Sequence, residues 1–134
     1  MRAATAGATL ARMAERLAIA RLSPAAPLPG WATSSPFFSV TRTRGELSIV
    51  RPEERVPDGI EAVRGWRSFA CEGPLDLGLV GILASIAVPL GDAGISLFAI
   101  STHDTDYVLV RDADFDRAAE VLAGRGHRIG TRNA

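Results

Sequence analysis

Ser101-Thr102-His103-Asp104-Thr105-Asp106 gathers hydroxyl, imidazole and carboxylate groups into one short stretch. The carboxylates of Asp104 and Asp106 suit an ammonium group, and the hydroxyls of Ser101 and Thr102 can add contacts. A complementary feature lies upstream, where Gly81 and Ile82 open an apolar helical repeat. The free N–H groups at a helix start suit a carboxylate, and a glycine there lets it approach closely. Leu79, Val80 and Ile82 give this end an apolar wall. Carboxylate at Gly81, ammonium at Asp104 or Asp106 and an apolar wall between describe a site for a small amino-acid-like molecule. The candidate ligand-binding residues are Val80, Gly81, Ile82, Ser101, Thr102, His103, Asp104 and Asp106. His103 can hydrogen-bond a polar side chain when neutral and would repel the ammonium when charged, so binding is expected to weaken on acidification. A plainer reading stands beside this one: Asp104-Thr105 is a turn in which Asp104 caps its own backbone.

Other chemistries find less support. His103, Asp104 and Asp106 are metal-ligand types, but neighbours in one strand-turn segment point partly to opposite faces and only distant His127 could complete the set, so no metal is expected. Cys71 has Phe69 at period two and no evident histidine, which makes it a small core residue rather than a nucleophile. Gly124-Arg125-Gly126 follows a helix instead of opening one, so it is a stop signal, not a phosphate loop. Fifteen arginines and no lysine balance fifteen acids, with no basic run. That excludes Schiff-base chemistry and argues against nucleic acid as a partner. Arg42, Arg44 and Arg51 with Glu46, Glu53 and Glu54 read as a solvated rim. No nucleophile-base pair appears; neither an enzyme activity nor a cofactor is expected. A single cysteine fits a reducing cytoplasm, and no apolar stretch approaches the roughly 20 residues of a membrane span.

The elements that must position these residues follow from periodicity. Leu17 to Leu22 alternates as a strand, and the proline-rich segment from Ser23 to Trp31 has room for one short helical turn. Phe37 to Thr43 and Glu46 to Arg51 form a hairpin about Arg44-Gly45, with Gly45 expected at positive φ. Pro52 to Arg64 reads as a surface connection. Trp66 to Glu72 is a strand, and Leu83, Ile86, Ala87 and Leu90 mark one face of a helix from Gly81 to Gly91, bent late by Pro89. Ile95 to Ser101 and Tyr107 to Val110 read as strands covered on at least one face. A second helix follows Asp112 or Asp114 as N-cap, buries Phe115, Ala118, Ala119 and Leu122 and stops at Gly124, and His127 to Gly130 forms a last strand. Residues 66 to 130 thus take the split βαβ order, which can bring the first strand-to-helix turn near the Ile95 strand. The first half repeats that order with its helices eroded, and its bare sheet surface and strand edge point to a homodimer.

Gly73-Pro74-Leu75-Asp76, Gly81-Ile82, Ala93-Gly94-Ile95 and Ser101 to Tyr107 (STHDTDY), with Thr41-Arg42-Thr43 and Glu46 to Val50 (ELSIV), resemble the small bacterial tandem ACT-domain proteins. The ACT units of that group are related to those of aspartate kinases and of cytosolic arginine sensors. The resemblance runs over roughly residues 16 to 130 and implies an α+β fold of two ferredoxin-like (βαββαβ) units side by side. It further implies a regulatory protein that binds an effector near the interface of the units and catalyses nothing. The alternative is an interaction module that pairs through sheet edges and has lost its ligand. The expected organisation is a flexible extension over 1–14, a degenerate N-terminal unit over 15–64 and a C-terminal ACT domain over 65–134. A transit peptide is the less favoured reading of the Ala- and Arg-rich start. Two positions depart from the family pattern. His103 stands where an aromatic is common, and Leu79 where some relatives carry an acid. With Leu79 apolar, a neutral effector side chain is expected rather than arginine or lysine, whose unpaired burial costs several kcal/mol.

Overall fold

The structure, a computed structural model, describes residues 7–72 and 81–132. Val80 and Leu79 of the candidate wall, and the Gly73-Pro74-Leu75-Asp76 motif, lie outside the described residues. The fold is α+β and divides into two compact units, Glu15–Trp66 and Met1–Ala14 with Arg67–Asn133.

In the N-terminal unit, β2 (Leu17–Leu22), β3 (Ser39–Arg42), β4 (Leu47–Pro52) and the first residues of β5 (Ala62–Cys71) make an antiparallel sheet in the order β3-β4-β2-β5. This is the βαββαβ strand order with both helices reduced to short 3-10 turns, at Gly30–Thr33 and Glu53–Arg55. Prolines account for the erosion, since each removes a backbone donor and restricts the residue before it. A core of small and aliphatic residues, Ala20, Ala32, Leu47 and Ile49, remains. Arg51, expected in a solvated rim, is instead buried, its charge held by backbone and hydroxyl oxygens. It is 2% exposed, and its guanidinium donates to Pro52 O and Trp31 O, both at 2.6 Å, and to Ser34 Oγ at 3.1 Å. Arg42 similarly holds Pro24 O and Ala26 O.

Two further expectations are corrected here. Gly45 is not at positive φ. The turn is closed by Thr43 instead, whose Oγ1 accepts from the N–H groups of Gly45 at 3.1 Å and Glu46 at 3.2 Å, so a hydroxyl replaces the unusual backbone conformation. The connection after Pro52 also ends earlier than expected, because β5 begins at Ala62, where Ala62 pairs with Ala20 and Val63 with Ile19.

The C-terminal unit runs β5, α1 (Ile82–Asp92), β6 (Leu97–Ser101), β7 (Asp106–Arg111), α2 (Phe115–Gly124), β8 (Arg128–Arg132), the ferredoxin-like order. One strand is added to it. The expectation of a flexible extension over 1–14 is corrected at β1 (Thr9–Met13), which pairs antiparallel with β5 and parallel with β8 and gives the order β8-β1-β5-β7-β6. Leu10 is fully buried with Phe69, Ile86, Leu90, Val108, Phe115 and Leu122. Arg12, the residue that makes this segment look like solvated tail, lays its guanidinium 4.4 Å from the Phe115 ring centre and pairs with Asp116. Gly7 approaches the chain so closely that a Cβ there would stand 1.8 Å from Gly126 O. The second helix buries the expected Phe115, Ala118, Ala119 and Leu122. Asp114, one of the two positions expected, stands at its N-cap. Residues 112–114 form a 3-10 turn of their own, Asp114 makes no capping bond, and its carboxylate faces Arg117.

Candidate functional site

Gly81 stands at the N-cap of α1 with φ +81°, a backbone conformation that costs an ordinary L-residue about 1–2 kcal/mol. Gly81 has no side chain with which to cap the helix and the first turn has no acid, a start whose N–H groups suit an anion. Ser85 closes this turn, its N–H donating to Gly81 O at 2.8 Å and its Oγ to Ile82 O at 2.6 Å. Gly81 is exposed and Ile82 half-buried.

The other candidates share the β6–β7 hairpin tip. Ser101 and Asp106 are directly paired across the strands, and Ser101 Oγ donates to Asp106 Oδ1 at 2.6 Å. Thr102 and Thr105 close the turn, Thr102 N–H donating to Thr105 O at 2.8 Å and Thr105 N–H to Thr102 Oγ1 at 3.2 Å. His103 Nδ1 lies 2.9 Å from Asp104 Oδ1, with both side chains exposed. Thr105 Oγ1 donates to Cys71 O at 2.8 Å, which ties the tip to the last residue of β5. Ser101, Thr102, His103, Asp104 and Asp106 are therefore brought together, and Gly81 with Ile82 form a second group on α1. The two groups flank the segment between β5 and α1: the hairpin is bonded to its start at Cys71, and Gly81 is at its end. Among the described residues no direct hydrogen bond between the two groups is seen.

Both carboxylates already have local partners, as a self-contained turn requires. Cys71 is buried, and burial first, then the Asp106 carboxylate, pushes its thiol up to about 11, which leaves it a core residue and not a nucleophile. His127 does not approach the His103 cluster: its ring is bonded to Ala8 N–H and Ser85 O. Sequence reasoning missed this role, for which a lone histidine after Gly126 gives no signal. It also missed a shallow cavity of about 190 Å³ on the N-terminal sheet, bounded by Ile19, Arg21, Glu46, Glu61 and the half-exposed Val63.

The β5-to-α2 segment that carries both groups is the part that comparison identifies. Residues 61–124 match the family model of the ACT domain. The chain contains an ACT domain. A second model, of an N-terminal domain, matches residues 15–59. Protein Atu0741 from Agobacterium tumefaciens is 37% identical, with 96% of each chain covered and a TM-score of 0.90. The human cytosolic arginine sensor for mTORC1 subunit 1 is 34% identical over 108 residues, 70% of this chain and 33% of the sensor. The chain thus spans about a third of that relative. The regulatory subunit of aspartate kinase from Thermus thermophilus shares the fold, with a TM-score of 0.61 at 11% identity, over 87% of this chain and 95% of that one. All described candidate residues fall inside the ACT match, whereas β1 and β8 fall outside it.

Proposed function

We propose that this ACT-domain protein is a non-enzymatic regulatory sensor, a cytoplasmic homodimer that binds a small amino-acid-like effector between the start of α1 and the β6–β7 tip. One observation carries the reading: α1 begins at a positive-φ glycine with no acid in its first turn, while a tip rich in carboxylates and hydroxyls is bonded to the last residue of β5. The effector carboxylate takes the N–H groups at Gly81 and Ile82, and its ammonium takes Asp106 or Asp104, each charge-assisted bond contributing about 1.5–3 kcal/mol. Its side chain is neutral. The names of the arginine-sensor relatives make arginine the competitor to include in any screen. A thermal-shift and calorimetric screen of the twenty amino acids tests the reading, and light scattering at micromolar concentration tests the dimer. Stabilisation by one or a few neutral amino acids is expected, with affinity lowered by Asp106→Asn and by Gly81→Val. Arginine as the tightest ligand, or an unchanged affinity in Asp106→Asn, overturns the pose.

A second reading has its own support. Ser101 on Asp106 and His103 on Asp104 satisfy the tip internally, as suits a module that associates without a ligand. A screen in which no amino acid stabilises the protein selects it.

A further inference from the structure

His127 is 5% exposed, and both nitrogens of its ring contact backbone. Ala8 N lies 3.0 Å from Nδ1 and Ser85 O lies 2.9 Å from Nε2. An amide N–H can only donate and a carbonyl can only accept, so Nδ1 is the acceptor and the ring carries its proton on Nε2. One imidazole thus bridges the entry to β1 and the residue that closes the first turn of α1, since Ser85 in turn donates to Gly81 O and Ile82 O. Its other neighbours fix the ring closely. His127 N–H donates to Leu122 O at 3.1 Å, Arg128 N–H donates to Ala8 O at 2.9 Å, and Gly7 sits against Gly126 O with no space for a side chain.

We propose that His127 is a positioning residue that couples the seating of the N-terminal strand to the effector end of α1. The effector part rests on the function proposed above; the coupling itself does not. The chain of contacts is continuous: Ala8 N–H to Nδ1, Nε2–H to Ser85 O, Ser85 N–H to Gly81 O. Displacing Ala8 removes the bond that orients the ring, and a turned ring releases Ser85. Binding at Gly81 and Ile82 acts through the same contacts in reverse, because coupling between two sites is reciprocal.

Amide hydrogen exchange on the full chain tests this without any ligand. Ala8→Pro deletes the donor to Nδ1, and Gly7→Ala forces the same junction apart by a different route. His127→Gln can turn an amide N–H toward Ser85 O but has no acceptor at the Nδ1 position that the Ala8 N–H uses. Each of the first two substitutions is expected to speed exchange at the Ser85 amide about tenfold, the scale set by loss of one buried hydrogen bond. In the His127→Gln background neither should add to the rate at Ser85. A general loosening of the fold would raise exchange in both backgrounds and across β6 and β7 as well. An unchanged Ser85 rate in both Ala8→Pro and Gly7→Ala, or equal increases with and without His127, overturns the coupling. Affinity for an amino acid found in the screen should fall in Ala8→Pro and stay at its His127→Gln value in the double variant. If no amino acid binds, the effector reading fails, and the exchange rates still decide the coupling.

Discussion

Cys71 shows how far one residue can be read from its neighbours in sequence. Phe69 two positions earlier and the absence of a nearby histidine marked it as core, and it is 2% exposed. Its raised pKa has a direct thermodynamic consequence. Because the folded thiol titrates at about 11, above the roughly 8.5 of a free cysteine, its contribution to stability is fully present below the unfolded value and is lost as pH rises through that interval. Urea unfolding between neutral and strongly alkaline pH should show this loss, and Cys71→Ala should remove that part of the pH dependence. Thiol alkylation of the native protein at neutral pH should be slow for the same reason. The candidate site was legible to a similar degree. Gly81 at a helix start and a polar strand-to-strand tip follow from residue types, while the partners chosen by Asp104 and Asp106 do not. Whether a carboxylate turns toward Ser101 or toward a ligand depends on strand register, and that is fixed by side chains far away in sequence.

At the scale of elements, α2 was the plainest because one face of it is apolar at helical spacing and every member of that face is buried. β1 was the least legible. Its TLARM sequence is short and follows alanines, and Arg12 argues against burial unless the partner is known. The partner is an aromatic face. Arg12 and Arg67 lie 4.4 and 4.2 Å from the Phe115 ring centre, and Asp116 and Asp112 take their charges. Cation–π contacts of this kind contribute about 0.5–1 kcal/mol each where solvent is near, and more when dry. Phe115→Leu keeps an apolar side chain but removes the ring, and should cost about 1–2 kcal/mol by that measure, with a small further loss of contact against Phe69, whose ring centre is 4.8 Å away. In a double-mutant cycle with Arg12→Met, denaturant unfolding should show that the two losses are not additive.

At the scale of the whole molecule, the division into units does not follow the order of the chain. An extension, a first domain and a second domain were expected in sequence. The structure instead assigns the first strand to the last unit, and nothing in residues 9–13 announces a partner more than a hundred positions away. Deleting residues 1–13 therefore should do more than trim a tail. It removes Leu10 from the C-terminal core and strips β5 and β8 of the strand between them. A cavity of that kind costs about 3–5 kcal/mol for one leucine alone, and calorimetry should show a lowered transition with the Glu15–Trp66 unit less affected. The arrangement also sets a timetable for synthesis. Thr9 pairs with Arg128 and Leu10 with Ile129, so β1 leaves the ribosome more than a hundred residues before the strand that closes its sheet. Meanwhile the Glu15–Trp66 segment, which holds both partners of the β2–β4, β2–β5 and β3–β4 pairings described above, is made in full before β8 begins. The nascent chain can therefore pair β1 with β5, but the other edge of β1 stays uncovered until residues 128–132 follow. Contacts of such long separation are slow to form and leave edges open to other chains, which makes the interval before β8 is in place the one in which this edge is exposed to aggregation.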